Sequence, residues 1–451
     1  MQKEKIITVE KVVAGGLGLS HLPDGMVALI PYVLPGERVR IRVVRKKKTY
    51  VEALPAEIIE PSPDRVEPRC LHYQRCGGCD LQHASDAAQV QLKNAILQEH
   101  LLRGGIISEE ILETVFDTPL ASPRTVEYRQ RIRLHVGPEG RFGFQHNRSH
   151  QIEPVRVCPL ARPEINGVLA QMEGSRSLGL VLIHCKELEL LLSPDDQGVV
   201  LVFHSNRKPR PADRENIAKV LQDISGVKGI IFSIAGHGRI GPFTREDPSG
   251  KKGQGDKLFL RFTLRPDASS REFSLSCEAG GFCQVNLEQN ENLISCLLDW
   301  ARPSPDERAL DLFCGMGNFS LPLASSACEV VGMDLQRAAI RSAEKNAAGA
   351  GLANCRFEKS SAVAGARKLA ENGEQFNMVL LDPPRQGCID AVPYVVRLGA
   401  GRIVYISCDP ATLVRDLAAL KEYGYILERV RMIDMFPQTH HMETIALLKR
   451  Q

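Results

Sequence analysis

The pattern of hydrophobic and polar positions changes twice along the chain. In residues 1 to about 60 the two kinds alternate, most clearly from Arg38 to Val43, where each arginine is followed by a branched aliphatic residue. A period of two places the arginines on one face of a strand and the aliphatic side chains on the other. Strands are predicted over residues 5–12, 26–30, 37–44 and 51–59, with glycine turns between them. The pattern predicts a small β-barrel with a basic face.

The middle part combines one long helical segment with short strands. Apolar residues recur with helical spacing over Asp86–Arg103, which predicts a helix there. Further helices are predicted near residues 161–173 and 212–224. Strands are predicted over residues 125–136, 198–204, 228–234, 257–264 and 273–277, with a hairpin at 140–150 and a surface loop at 236–255. This part is expected to be a β-rich central domain.

The last third alternates strands with helices. Strands are predicted over residues 309–313, 329–334, 355–358, 378–382, 403–407, 426–434 and 444–449, and helices fill the gaps. Such alternation predicts an α/β fold with a doubly wound sheet. We therefore expect three domains, spanning residues 1–62, 63–280 and 281–451.

Composition and charge narrow the class of protein. No apolar run approaches the ~18 residues of a membrane-spanning helix, and nothing in the sequence directs the chain out of the cytoplasm, so we expect a cytoplasmic monomer. The 13 cysteines are an odd number and mostly scattered, which disfavours a secreted disulfide framework. The first 50 residues hold ten Lys or Arg against four Asp or Glu, whereas the whole chain has a net charge of only +3. A basic module on a near-neutral body is typical of a protein that meets a polyanion such as RNA.

Three cysteines lie within ten residues, directly after a proline-rich linker at residues 61–68. They are Cys70, Cys76 and Cys79, and two glycines between the last two let the backbone bend so that the sulfurs converge. A fourth ligand has to come from elsewhere, and Cys158 is the candidate. Four thiolates suit either a structural zinc ion or a [4Fe–4S] cluster, and the wide spacing between Cys70 and Cys76 favours the cluster.

A glycine loop follows the first strand of the last third. The run Asp311–Asn318 exposes backbone that can approach a cofactor, and Asp334 ends the next strand at a spacing that suits ribose hydroxyls. Ser320 stands where a dinucleotide site has its third glycine, which favours S-adenosylmethionine. Asp382 begins an Asp-Pro-Pro-Arg run. Amine methyltransferases place an aromatic residue after the two prolines, so Arg385 at this position favours a carbon target.

Cys408 follows the strand at 403–407 and precedes Pro410, which opens the next helix. We expect the helix N-terminus to favour thiolate over thiol. Carbon 5 of a pyrimidine becomes nucleophilic when a thiolate adds to carbon 6, and a base must later remove the carbon 5 proton. Glu443, in a polar cluster at the start of the last strand, is the candidate base. The alternatives are an inert buried cysteine and an ordinary turn.

Together these residues resemble the RNA uracil-5-methyltransferases, most closely the 23S ribosomal RNA branch that carries a TRAM domain and an iron–sulfur cluster. The resemblance covers nearly the whole chain and includes Ser-Cys-Asp-Pro-Ala-Thr-Leu-Val-Arg-Asp around Cys408. The family usually has glutamate where Asp334 stands. The resemblance implies the nucleophile Cys408, the base Glu443, the cluster ligands Cys70, Cys76, Cys79 and Cys158, and the cofactor contacts Gln284, Phe313, Asn318, Asp334, Ser361 and Asp382.

The resemblance also implies the architecture and the reaction. It implies a C-terminal Rossmann-like methyltransferase domain, an N-terminal OB-like TRAM barrel that binds RNA, and a central domain with a [4Fe–4S] cluster whose helix Asp86–Arg103 packs on the catalytic domain. The reaction is methyl transfer from S-adenosyl-L-methionine to carbon 5 of a uridine in 23S ribosomal RNA, through a covalent Cys408–uracil adduct. One alternative is the same reaction on transfer RNA. Another is a non-catalytic RNA-binding or redox-sensing protein, which the pair Cys408 and Glu443 disfavours.

Overall fold

The computed structural model describes residues 4–147, 149–250, 257–266 and 271–451. The first six strands are β1 (Lys5–Thr8), β2 (Lys11–Val13), β3 (Leu17–His21), β4 (Val27–Pro31), β5 (Arg38–Lys46) and β6 (Tyr50–Glu60). They form one sheet in the order β1-β5-β6-β4-β3-β2 around its own hydrophobic core. The predicted alternation is confirmed on β5, where Val39 and Ile41 are buried while Arg38 and Arg42 are exposed.

Helices α1 (Asp86–Arg103) and α2 (Leu112–Val115) follow. Ser85 caps α1, because its side chain accepts a hydrogen bond from the Ala88 N–H at 3.2 Å. The apolar face of α1, including Leu97 and Leu101, is buried in the same hydrophobic core as one face of the C-terminal sheet. Both the predicted bounds of this helix and its packing on the catalytic part are confirmed.

The central part holds a second sheet. Its strands are β7 (Arg131–Val136), β8 (Phe142–Gln145), β9 (Ile152–Glu153), β10 (Cys185–Ser193), β11 (Gly198–Ser205), β12 (Val227–Ile234) and β13 (Gly238–Phe243), in the order β13-β12-β11-β10-β7-β8-β9. Helices α3 (Pro163–Met172), α4 (Arg176–Leu182) and α5 (Pro211–Asp223) pack on it. A separate pair, β14 (Phe259–Leu264) and β15 (Phe273–Glu278), is antiparallel.

This central part differs from the sequence prediction at several places. The strand predicted to start at residue 125 begins at Arg131, because Arg129 and Gln130 bond to backbone near residue 160 and to Val285. The predicted loop at 236–255 contains strand β13, which pairs with β12; its residues 251–255 lie outside the described ranges. Strand β10 and helix α4 are elements that the sequence prediction did not include.

The C-terminal part is the doubly wound sheet that the sequence predicts. Its strands are β16 (Arg308–Leu312), β17 (Glu329–Asp334), β18 (Cys355–Lys359), β19 (Met378–Leu381), β20 (Arg402–Ser407), β21 (Tyr425–Ile433) and β22 (Glu443–Arg450). The order is β18-β17-β16-β19-β20-β22-β21, parallel except for β22, and the predicted ends are off by one residue at most. The helices are α6 (Leu287–Ala301), α7 (Ser320–Ala324), α8 (Arg337–Gly349), α9 (Ala362–Glu371), α10 (Val392–Arg397) and α11 (Pro410–Glu422).

This sheet order determines where a ligand binds. The winding direction reverses between β16 and β19, and open α/β sheets bind ligands in the crevice at such a switch point, outside the carboxyl ends of the strands. The two faces are covered by separate hydrophobic cores, with α6 and α8 on one side and α9 to α11 on the other. No helix in the described ranges is both long enough and apolar enough to span a bilayer.

Candidate active site

Cys408 lies where strand β20 meets helix α11. The strand is buried from Ile403 to Ser407, and the Asp409 side chain caps the helix by accepting a hydrogen bond from the Thr412 N–H at 2.9 Å. Pro410 occupies the first helical position, where a missing N–H leaves no donor unpaired. The predicted strand, thiol and helix start are therefore all present.

Glu443 is brought next to Cys408 by the pairing of β20 with β22. Ser407, the last residue of β20, pairs with Thr444 in this antiparallel ladder. Cys408, which directly follows β20, therefore lies beside Glu443, the first residue of β22. Glu443 is only 5% exposed, at the first position of its strand. The two residues predicted to act as nucleophile and base, 35 positions apart in sequence, thus share one end of the sheet.

The surroundings of this pair raise the pKa of both groups. Burial, and then Glu443, raise the pKa of the Cys408 thiol to about 11, while Arg385 acts in the opposite direction. Burial and the neighbouring carboxyl therefore oppose the preference for thiolate that is expected at the helix N-terminus. Burial, and then Asp382, also raise the pKa of Glu443 well above its ordinary value. A raised pKa makes Glu443 a stronger base once it is ionised.

Alkylation of Cys408 should therefore be slow at neutral pH. We expect its rate with iodoacetamide to rise about tenfold per pH unit and to level off near pH 11, since only the thiolate reacts. Glu443→Gln removes the neighbouring negative charge and should shift the curve to lower pH. Mass spectrometry of the Cys408 peptide separates this thiol from the other cysteines. A plateau below pH 8 in the unmodified protein would contradict the assigned environment.

The Asp-Pro-Pro-Arg run lies at the end of the adjacent strand, β19. Burial raises the pKa of Asp382 to about 7. Helix α11 holds this loop, because the Thr412 hydroxyl donates to the Arg385 carbonyl at 3.0 Å and Arg415 donates to the Gln386 carbonyl at 2.7 Å. The helix that follows the nucleophile therefore also fixes the exposed arginine beside it.

The predicted cofactor residues meet at the carboxyl ends of four neighbouring strands. Phe313, Asp334, Ser361 and Asp382 follow or end β16, β17, β18 and β19. The Asp334 carboxylate accepts hydrogen bonds from the N–H groups of Gly315 at 3.1 Å and Gln336 at 2.6 Å, which joins the glycine loop to β17. Gly317 has a φ of +90°, and a Cβ there would lie 2.3 Å from Leu321, so this turn requires glycine.

Of the other predicted cofactor contacts, Asn318 and Ser361 make hydrogen bonds within the protein, and Gln284 lies next to helix α6. The amide of Asn318 makes two hydrogen bonds with the amide of Asn290, at 2.8 and 3.0 Å, which ties the glycine loop to α6. The Ser361 hydroxyl caps α9 by accepting from the Ala364 N–H. Gln284 is half-buried just before α6. Their contacts with a cofactor stay predictions.

Asp311 is a candidate functional residue that the sequence reasoning used only as the edge of a loop. It is fully buried on β16, and burial raises its pKa to about 8. One carboxyl oxygen accepts from the Ser320 hydroxyl at 2.5 Å, whereas the other, Oδ1, has no partner in the described structure. A buried acid with a free oxygen at the switch point is poised for a ligand group. Its position as a polar residue within an apolar strand is the sequence signal that marks it.

The four predicted metal ligands line one cavity in the central part. Cys70, Cys76, Cys79 and Cys158 all face it and none forms a disulfide. Burial is the main cause that raises the pKa of the Cys76 thiol to about 11 and of the Cys79 thiol to about 12, with nearby Cys158 adding to both. In the described ranges no group of His, Cys, Asp or Glu is arranged to hold a metal ion.

A cation adjoins the cysteine cavity. The half-buried Arg129 lines it, and its Nε donates to the Tyr128 hydroxyl at 3.2 Å. Cys79 and Cys158 both raise the pKa of this guanidinium, although burial opposes them. Among the described residues no carboxylate forms a salt bridge with Arg129. A guanidinium that faces thiols and has no carboxylate partner suits a site that becomes anionic when those thiols are deprotonated.

Comparison with known proteins gives a consistent picture. The family model of tRNA (Uracil-5-)-methyltransferase matches residues 250–451. A 23S rRNA (uracil(1939)-C(5))-methyltransferase RlmD from Pseudomonas entomophila (strain L48) is 35% identical over 99% of this chain and 94% of its own length. The enzyme of the same name from Shewanella sediminis (strain HAW-EB3) is 35% identical over 96% and 94%.

A solved structure is similar over the whole chain. The Pyrococcus abyssi tRNA (uracil-54, C5)-methyltransferase, in complex with S-adenosyl-L-homocysteine, superposes with a TM-score of 0.72. It covers 98% of this chain and 100% of its own, at 22% sequence identity. At that identity the likeness concerns the fold.

Proposed function

Since the chain belongs to the RNA uracil-5-methyltransferase family, we propose that it methylates carbon 5 of a uridine in 23S ribosomal RNA with S-adenosyl-L-methionine as methyl donor. The observation that carries the proposal is the strand register that sets Cys408 beside Glu443, next to Asp382. Relatives that match nearly the full length are named for 23S ribosomal RNA, which favours this substrate over transfer RNA.

The substrate is tested by mapping 5-methyluridine in both RNAs. A strain that lacks this gene should lose the modification at a position of 23S ribosomal RNA, and the uridine equivalent to the relatives' position 1939 is the expected target. Complementation with the intact gene should restore it, and the Cys408→Ala gene should not. Loss confined to transfer RNA would instead support the alternative substrate.

The residues at the switch point fit S-adenosyl-L-methionine. Asp311 offers a buried free oxygen, and a Cβ on Gly315 would meet no atom within 4 Å, so the glycine loop borders open space. When bound, the cofactor supplies a methyl group on a positively charged sulfur. Asp334 would hold the ribose, and Gln284, Phe313, Asn318, Ser361 and Asp382 would surround the rest.

The chemistry proposed for the protein side chains concerns the uracil ring. Deprotonated Cys408 adds through Sγ to carbon 6, the carbon 5–carbon 6 double bond opens, and the charge moves to the oxygen on carbon 4. Once carbon 5 carries its new methyl group, ionised Glu443 removes the remaining proton from that carbon. The double bond then re-forms and the bond between Sγ and carbon 6 breaks, which frees Cys408.

We further propose that Cys70, Cys76, Cys79 and Cys158 hold a [4Fe–4S] cluster. Their common cavity and the adjacent Arg129 support an anionic four-thiolate site. Protein purified without oxygen should be brown and contain about four irons. Cys79→Ser should lose the iron and unfold at lower temperature, because cluster binding is coupled to folding.

The exposed Cys328 provides the matched control for this metal test. Cys328→Ser should keep both colour and iron. Stoichiometric zinc without iron would instead assign the site to a structural zinc ion.

The basic face of the first sheet should contact RNA phosphates. Arg38 and Arg40 form salt bridges with Glu60 and Glu57 of the neighbouring strand, whereas Arg42, Lys46 and Lys48 are exposed. Changing Arg42, Lys46 and Lys48 to glutamine should weaken RNA binding and lower the salt dependence by about 0.7–0.9 in log–log slope per lost contact.

The matched control for the RNA experiment is the double variant Arg38→Gln with Arg40→Gln. It removes charges that glutamates already neutralise and should change the slope less. An unchanged slope for the triple variant, measured by filter binding between 50 and 300 mM salt, would show that this face does not contact the RNA.

A further inference from the structure

The loop that leads into Glu443 is held by a helix far away in sequence. Residues 434–442 connect β21 to β22, and they contact side chains of helix α1. We propose that Gln89 and Lys93 of α1 are positioning residues for the base Glu443. The inference rests on the proposed function, because it takes Glu443 to be the base.

The Glu443 carboxyl depends on its backbone for its position. It is buried, and within the described ranges no side-chain hydrogen bond restrains it. A carboxyl without such a bond can accept a substrate proton. Strand pairing holds Glu443 against Ile433 of β21, and the next residue, Thr444, against Ser407 of β20. The remaining restraint on Glu443 comes from residues 434–442 that precede it, so a shift of that loop would change the distance from the carboxyl to carbon 5.

Lys93 fixes the start of the loop. Its ammonium group is 0% exposed and lies 2.6 Å from Asp434 Oδ1, whose side chain is 3% exposed. It also donates to the Phe436 carbonyl at 3.0 Å. A buried ion pair with a second hydrogen bond defines the position of the loop where it leaves β21.

Gln89 fixes the middle of the loop, one helical turn before Lys93 on the same face of α1. Its side-chain oxygen accepts from the Gln438 N–H at 2.8 Å, and its amide donates to the Gln438 side chain at 3.1 Å. Gln438 has a φ of +71°, a left-handed conformation that is uncommon for this residue type. The two hydrogen bonds from Gln89 stabilise this turn, five residues before Glu443.

The segment that carries Cys79 adds a second attachment to the same loop. The N–H groups of Asp80 and Leu81 donate to the Gln438 carbonyl at 3.2 and 3.1 Å. His440 Nδ1 lies 2.5 Å from Asp80 Oδ2. The loop is thus bound from one side by α1 and from the other by the cysteine segment, and it leads directly into Glu443 at the start of β22.

The test uses Gln89→Met, which keeps the side-chain volume and removes both hydrogen bonds to Gln438. Gln91→Met is the matched control, because Gln91 is exposed on the same helix. The full-length proteins are incubated with a 23S ribosomal RNA fragment and labelled S-adenosylmethionine. We measure turnover and the fraction of protein that remains covalently joined to methylated RNA on a denaturing gel.

We expect Gln89→Met to form the adduct at the normal rate but to release it about 10- to 100-fold more slowly, since small misplacements of a catalytic group have effects of this size. The adduct should therefore accumulate, as it should for Glu443→Gln. A purely structural defect would lower adduct formation instead. If Gln89→Met folds poorly, Gln438→Met is the second variant. It removes the hydrogen bonds of the Gln438 side chain, including the one to Gln89, and should give the same accumulation of adduct.

Two results would overturn the inference, and they differ. If Glu443→Gln accumulates adduct while Gln89→Met and Gln438→Met release it at the normal rate, the positioning role is wrong and the base assignment survives. If Glu443→Gln accumulates none, the base assignment fails, and the positioning role fails with it.

Discussion

Replacing Glu443 with glutamine is expected to leave the protein covalently attached to methylated RNA. Cys408 should still add to the ring and carbon 5 should still gain its methyl group, but nothing then removes the carbon 5 proton. Turnover should fall by ~10²- to 10⁴-fold, the usual contribution of a positioned base. The trapped species carries the label of S-adenosylmethionine and survives a denaturing gel.

Cys408→Ala provides the complementary variant. It should bind RNA with normal affinity and form neither adduct nor product, because the ring is never activated. Cys408→Ala blocks the reaction before methyl transfer, and Glu443→Gln blocks it afterwards. Both should lose activity, but only Glu443→Gln should give the covalent species on the gel. Full turnover by Cys408→Ala would refute the assignment of Cys408 as nucleophile. Normal product release by Glu443→Gln would refute the assignment of Glu443 as base.

Lys93→Met should destabilise the protein strongly. The substitution leaves the Asp434 carboxylate 3% exposed with its cationic partner removed. Breaking a buried ion pair from one side typically costs about 3–5 kcal/mol, because the remaining charge is not compensated. Thermal unfolding followed by circular dichroism should show a transition at markedly lower temperature.

The double variant Lys93→Met with Asp434→Leu separates charge from packing. Replacing a buried ion pair by apolar residues of similar volume is often neutral, so most of the lost stability should return. If the double variant is no more stable than the single one, the loss comes from packing around Lys93. Lys11→Met is the control. It breaks a more exposed ion pair between Lys11 of β2 and Glu99 of α1 and should lower the free energy of unfolding by less than about 1 kcal/mol.

The C-terminal sheet could be predicted from the sequence because its inner strands are mostly buried. These strands are short and mainly apolar and lie between helical segments, and local residues such as Pro410 define where the following helix begins. Helix α1 was equally clear, because Ser85 caps it and its apolar residues recur with helical spacing. These signals are local, so a single sequence contains them.

The missed features depend on partners that are distant in sequence. Strand β10 carries Glu187 and Glu189 within an apolar run, and only the sheet shows that they pair with Arg133 and Arg131 of β7. Lys93 is expected to be solvated until Asp434 is placed against it. The opposition to ionisation at Cys408 could not be predicted for the same reason, since the carboxyl that contributes to it belongs to another strand.

The contact between α1 and the β21–β22 loop has a consequence for biosynthesis. Lys93 and Asp434 are 341 residues apart, and a ribosome that adds about 5–20 residues per second needs on the order of 20–70 s to make that stretch. During this time the apolar face of α1 lacks the C-terminal surface that covers it in the folded protein. A fragment that ends near residue 280 would keep this face exposed permanently. Expression of the N-terminal part alone should therefore give aggregated protein, and we expect the nascent chain to be prone to aggregation until its last strands leave the ribosome.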